Sequence, residues 1–186
     1  MRDAITISNI ALAAIGNNGI TAFTNNSPAA RACESAFNNA VHKLLSDYPW
    51  GFARKRVVLP LDVAPPLTDY ANAYTLPTDF FTIVKLNSGV DAYSIEGNKL
   101  MTDAGSCELL YTARFANDAD YPVYFEEAIA STMAIELNSL MSGDVSRQLR
   151  LESKAVRDMV NAQGIDAQQH TPFGAPITDL IKARFS

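Results

Sequence analysis

Four carboxylates close together in the chain are the residues best suited to catalysis: Asp118, Asp120, Glu126 and Glu127. Two carboxyl groups facing each other across a cleft can hydrolyse a glycosidic bond, one of them as the acid. However, the two aspartates precede a predicted helix and the two glutamates fall near its first turn, where acidic side chains complement the helix dipole. We therefore favour a structural role, with a cell-wall or polysaccharide hydrolase as the alternative.

Other residue types that usually carry chemistry are sparse. The two histidines, His42 and His170, are too few for a histidine-rich metal site. The two cysteines, Cys33 and Cys107, are expected to be free and buried. The nine glycines are scattered without a phosphate-binding loop, and the sequence has no Gly-x-Ser-x-Gly motif. We therefore expect no enzymatic activity, no cofactor and no metal.

A predicted helix near the C-terminus carries cations at a regular spacing. They recur at steps of three, four and three residues, and they are Arg147, Arg150, Lys154 and Arg157. This spacing places them on one face of the helix. Because Glu152 and Asp158 are interspersed, one interpretation is an ordinary solvated face. The other is a docking surface for an acidic partner, and DNA is disfavoured because no aromatic residues accompany the cations.

The only tryptophan stands where a predicted helix gives way to a predicted strand. Pro49 ends the helix, because a proline ring disfavours the helical conformation of the residue before it. Trp50 and Phe52 follow, and we expect both to be packing anchors between the helices and the sheet. The three cations at 54–56 lead into the strand, where charges at a sheet edge discourage aggregation.

Hydrophobic periodicity predicts four helices, at 3–16, 28–47, 121–142 and 145–163. Between the second and third helices, alternating runs and a Gly97-Asn98 turn predict a small antiparallel sheet over 56–114. The fold class that follows is α+β: a mostly helical four-helix bundle with the sheet inserted between helices 2 and 3. In the last helix, the residues expected to face inward are Val145, Leu149, Val156, Met159 and Val160.

After Gly164 the helical pattern is expected to end. We therefore predict a single domain over 1–164 and an extended C-terminal arm over 165–186. The arm is rich in proline, glycine and polar residues, yet it carries apolar residues that show no helical period over its whole length: Phe173, Ile177, Leu180, Ile181 and Phe185. Such a segment is expected to dock on another protein surface.

Composition limits the class of protein. Apolar residues make up 48% and charged residues 19% of the 186 residues, which is typical of a folded globular protein. The net charge of −5 argues against a general nucleic-acid-binding surface. No apolar run approaches the ~20 residues of a membrane span, and the N-terminus does not resemble a signal peptide. We expect synthesis in the cytoplasm and no membrane partner.

Several short segments, taken in order, resemble the tail tubular protein A family, the head-to-tail adaptors of short-tailed bacteriophages. The most specific is Tyr-Pro-Trp-Gly-Phe-Ala-Arg-Lys-Arg at 48–56. The others are 11–16 followed by Ile20-Thr21, the helix from 29 onward, 74–79, 93–97 and 110–114. We take the resemblance to extend over roughly residues 5 to 160, and the arm after Gly164 carries the least resemblance.

The resemblance implies a structural protein of the virion, assembled in the cytoplasm of the bacterial host and located in the tail or neck. Family members form a ring, dodecameric by analogy, which binds beneath the portal protein and joins the tail nozzle protein. DNA passes through the channel without specific binding. An acidic chain suits such a conduit, since a wall that attracted phosphate would hold the genome. A tail-completion or stopper protein that forms no ring is a further alternative.

Overall fold

Four α-helices form one layer of the part of the chain that the computed structural model describes, residues 2–87, 90, 92–115 and 121–169. They are α1 (Ala4–Ala14), α2 (Pro28–Asp47), α3 (Val123–Met141) and α4 (Val145–Gln168). Three of them begin at a side-chain cap: Asp3 accepts from the Thr6 N–H at 2.8 Å, and Ser27 and Asp144 cap α2 and α4 in the same way. The starts of these three helices are therefore fixed by local sequence.

Six strands form two antiparallel sheets of three strands each within the described residues. The strands are β1 (Arg54–Val58), β2 (Asn72–Thr75), β3 (Phe80–Leu86), β4 (Tyr93–Glu96), β5 (Lys99–Thr102) and β6 (Glu108–Ala113). The first sheet has the order β1-β6-β3 and the second β2-β5-β4. The predicted hairpin turn is confirmed: it joins β4 to β5, and Gly97 has a φ of 59°, which favours glycine.

The prediction of a four-helix bundle with one inserted sheet is wrong, although the α+β class is confirmed. Two sheets separate α2 from α3 along the chain, and α1, α2 and α4 each pack mainly against the central α3. The reason is that α3 is apolar around most of its circumference, so that α1, α2 and α4 each cover a part of it. Helix α4 also continues to Gln168, past the Gly164 at which the sequence predicted an end.

Two hydrophobic cores correspond to the two layers. The larger core lies among the helices and includes Trp50, Phe125 and Leu137. The smaller core is formed by residues of both sheets, with Tyr74 and Leu100 from one sheet and Leu109 and Tyr111 from the other among its members. The chain passes from the first core to the second directly after α2, through a short 3-10 turn at Gly51–Ala53. We call this connection, residues 48–56, the handover, because it leads from the helical core to the sheets.

Candidate functional site

Trp50 lies at the centre of the handover from α2 to β1. Its side chain is completely buried, and the indole N–H donates a hydrogen bond to the Leu44 carbonyl at 2.7 Å. Pro49 directly precedes it, and the Tyr48 backbone is extended where α2 ends. The Trp50 ring meets Phe125 edge-on at 5.0 Å between centroids and stacks with Tyr124 at 6.2 Å. The tryptophan therefore joins the end of α2 to the first turns of α3.

Phe52 extends the same aromatic cluster towards the sheets. Its ring centroid lies 4.8 Å from that of Phe125 and 5.6 Å from that of Phe115, two residues after the end of β6. Phe52 is only half-buried, and Trp50 lies deeper than it does. Both side chains therefore pack in the core among the helices, and the expected role of anchors between the helices and the sheet stays a prediction.

Asp166, in the last turn of α4, binds the handover at Gly51. No signal in the sequence identified this residue. Its carboxylate is completely buried and accepts hydrogen bonds from the Gly51 N–H at 2.8 Å and from the Tyr124 hydroxyl at 3.0 Å. Gly51 begins the 3-10 turn, so the carboxylate also lies at the positive end of that turn. One side chain from the last turn of α4 therefore ties together α3, α4 and the handover.

Because the pKa values of Tyr124 and Tyr111 are raised in the folded protein, the free energy of unfolding should fall at alkaline pH. Burial, and second the hydrogen bond to Asp166, raise the pKa of Tyr124 above its ordinary value of 10.0. Burial and the bond to Asp79 raise the pKa of Tyr111 to about 12. Because both pKa values are raised on folding, this stabilisation is complete below pH 10.0 and is lost as the pH rises through the folded pKa values.

We expect the free energy of unfolding to fall by about 1.4 kcal/mol per pH unit for each such tyrosine above about pH 10. Tyr124→Phe and Tyr111→Phe should each reduce this slope, and the double variant should reduce it most. Urea denaturation at a series of pH values from neutral to about 12 measures the slope. An unchanged slope in both variants would show that these hydroxyls keep ordinary pKa values.

The acidic cluster does not form a carboxylate pair within the described residues. Glu126 is buried, accepts a hydrogen bond from the Arg2 backbone N–H at 2.8 Å and lies 3.6 Å from the Arg2 guanidinium. Glu127 is exposed on the next position of α3. The predicted partners Asp118 and Asp120 lie outside the described residues. Glu126 therefore holds the N-terminus against α3. Among the described residues, it faces no second carboxylate of the predicted cluster.

The four cations of α4 have different environments. Arg147 is half-buried and donates to the Ile15 carbonyl at the end of α1, where a cation complements the helix dipole. Lys154 pairs with Asp158 one turn further along the helix. Arg150 and Arg157 are exposed and form no salt bridge with another described residue. Only these two remain as candidate cations for a partner.

An apolar stripe on α4 lies outside the core. The sequence predicted that its residues face inward, and this is wrong: Val145, Leu149, Val156 and Val160 are 62–72% exposed. Met159 alone of the predicted set packs partly against the core, while α4 contacts α3 through Leu151 and Ala162. At 100° per residue the four exposed side chains fall within an arc of about 60°. We call them the α4 stripe, and Arg150 and Arg157 lie on one side of it.

A groove of about 330 Å³ lies between α1 and α4, over α3. Its lining includes Ile10 of α1, Ala134 of α3 and Leu151 of α4, with Glu127 and Lys154 also in contact with it. The predicted partner-binding residues of the C-terminal arm lie outside the described residues: Phe173, Ile177, Leu180, Ile181 and Phe185. Among the residues that the structure does describe, the clearest candidate contact surface is therefore the α4 stripe.

Within the described ranges, no group of His, Cys, Asp and Glu side chains could hold a metal ion, and no helix is long and apolar enough to cross a membrane. No model of a known protein family matches the chain, and no characterised protein shows significant similarity to it. The resemblance to the tail tubular protein A family therefore depends on the ordered short segments. Of these, 48–56 is the handover that Trp50 and Asp166 hold in place.

Proposed function

We propose that the chain is a head-to-tail adaptor of a short-tailed bacteriophage. In this proposal, copies of the chain form a ring of twelve beneath the portal protein, connect it to the tail nozzle protein and surround the DNA channel. The protein acts as a structural component of the virion tail, without enzymatic activity. The observation that carries the proposal is the α4 stripe, taken together with the ordered segments that resemble the family.

The α4 stripe has the properties of a protein-binding surface. Its apolar side chains form two exposed pairs on one face of α4, Val145 with Leu149 and Val156 with Val160, and exposed apolar surface bordered by polar residues marks interaction sites. The stripe runs along the outer side of a helix whose inner side is already occupied by α3, so it contributes nothing to the core. A contact between such a surface and a different surface of an identical copy is heterologous, and it closes into a ring when the rotation permits.

Charge supports the conduit part of the proposal. Each copy carries a formal net charge of −5, and twelve copies would surround the DNA with a strongly negative assembly. DNA would then pass without being retained, because binding to duplex DNA depends on neutralising phosphates with cations. The two exposed arginines beside the stripe are too few to reverse this balance.

Charged substitutions in the α4 stripe provide the test of assembly. Val156→Glu combined with Val160→Glu should lower ring formation on the portal of the same phage more than tenfold, a loss of at least about 1.4 kcal/mol per contact. The matched control is Asn161→Glu, which adds a charge at the exposed neighbouring position on another side of α4. Analytical ultracentrifugation of the chain mixed with portal rings measures the bound copies.

Equal binding by the stripe variant and the control would show that the α4 stripe is not part of the assembly interface. Binding of a fixed number of copies that do not close a ring would favour the stopper alternative. If no protein binds to the portal at all, the adaptor proposal fails, and hydrolysis assays on cell-wall polysaccharide become the next experiment.

A further inference from the structure

Covering the exposed aliphatic side chains of the α4 stripe would be favourable in the free chain, because burial removes their apolar surface from water. We propose that residues 177–185 of the same chain cover the C-terminal half of the stripe, Val156 and Val160, before assembly. This inference holds whether or not the chain is an adaptor. It rests on three observations: the position of the stripe, the length of chain beyond the described residues, and the spacing of apolar residues in the C-terminal segment.

The last apolar residues of the chain are spaced so that a helix would present them on one face. Over its whole length the C-terminal arm lacks a helical period, but its last four apolar residues recur at i, i+3, i+4 and i+8: Ile177, Leu180, Ile181 and Phe185. This spacing is typical of one face of an amphipathic helix. Pro176 precedes it, at a position where proline is favoured as the first residue of a helix.

The connecting chain is long enough to bring this segment back along α4. The described part of the chain ends at Gln169, one residue after α4. Residues 170–176 reach about 23 Å when extended, at about 3.3 Å per residue. Val156 and Val160 lie about 18 Å and 12 Å back from the end of α4, at 1.5 Å per residue. An antiparallel contact therefore requires only a connection of ordinary length.

Charge and tethering both favour this occupant over a second copy. Glu152 and Arg157 lie close to the α4 stripe on its two sides, while the segment carries Asp179, Lys182 and Arg184 among its apolar residues. A short flexible tether also gives an effective concentration in the millimolar range, far above that of another copy in dilute solution. The segment therefore occupies the stripe first, and a neighbouring subunit in a ring would have to displace it.

Cross-linking in the full chain tests this contact. We would prepare Val156→Cys with Ile181→Cys and treat the protein with a short bismaleimide near neutral pH. Cys33 and Cys107 are buried, and burial raises the pKa of both thiols, so they react slowly. The matched control is Lys154→Cys with Ile181→Cys, because residue 154 lies at nearly the same height on α4 but about 160° around the helix.

We expect an intrachain cross-link to form at least tenfold faster in the Val156 pair than in the Lys154 pair. An equal mixture of ¹⁵N-labelled and unlabelled chains distinguishes links within one chain from links between chains. Links between differently labelled chains would overturn the proposal and assign the α4 stripe to a second copy. Equal rates in the two pairs, or no link in either this pair or Val160→Cys with Leu180→Cys, would also overturn it.

Discussion

Trp50→Ala should destabilise the protein by about 3–5 kcal/mol, the range for removing a large buried aromatic side chain. The indole is completely buried, contacts rings from both α3 and the handover, and donates a hydrogen bond to the Leu44 carbonyl. Its removal leaves a cavity in the core among the helices, beside the first turns of α3. For a chain of this size the expected fall in Tm is on the order of 10 °C.

Circular dichroism measures this effect, because the variant lacks the only tryptophan and cannot be followed by its fluorescence. Trp50→Phe keeps a ring but removes the indole N–H, so we expect an intermediate loss. Leu67→Ala is the control, since Leu67 is fully exposed and its truncation should change stability by less than about 0.5 kcal/mol. If Trp50→Ala and Leu67→Ala are equally stable, the handover is not held by Trp50.

Asp166→Ala is the second substitution with a large expected effect, about 3–5 kcal/mol. It leaves the Gly51 N–H and the Tyr124 hydroxyl buried without their acceptor, and each unsatisfied donor costs about 1–3 kcal/mol. Asp166→Asn keeps one acceptor oxygen and should lose less. Urea denaturation compares these variants with Asp158→Ala, which removes only a pair on the surface of the same helix, worth about 0.5 kcal/mol.

A double-mutant cycle identifies the contact that is responsible. If Asp166 acts through Tyr124, then Asp166→Ala combined with Tyr124→Phe should cost clearly less than the sum of the two single variants. Additive losses would show that the two side chains act independently. The contacts of Asp166 also decide where the chain can be shortened without loss of stability. A chain that ends at Gly164 lacks Asp166, whereas one that ends at Gln169 keeps it.

Local signals in the sequence predicted the helices better than their arrangement. The bounds of α2 are as predicted, because Ser27 and Pro28 mark its start, Pro49 lies just beyond its end, and its apolar residues repeat strictly between them. In contrast, β2 was not predicted at all. It follows a proline-rich loop and forms a strand because it pairs with β5. Such pairing is a non-local contact, which the periodicity of a short segment does not reveal.

The candidate site was predictable only in part, for the same physical reason. Helix α4 carries apolar residues on two sides, and periodicity does not decide which side faces α3. The side with Leu151 and Ala162 is buried, and the side with Val156 and Val160 is left in solvent. Asp166 is one acidic residue among others in the sequence, and its role arises only where the helix end meets the handover, 115 residues from Gly51 along the chain.

Cryo-electron microscopy of the full chain bound to portal rings of the same phage tests the central proposal most directly. The account predicts a closed ring of this chain beneath the portal, with twelvefold symmetry and with the α4 stripe covered by a neighbouring subunit. It also predicts a central channel wide enough for duplex DNA. Portal rings that carry no density for this chain, or a single copy without ring symmetry, would contradict the account.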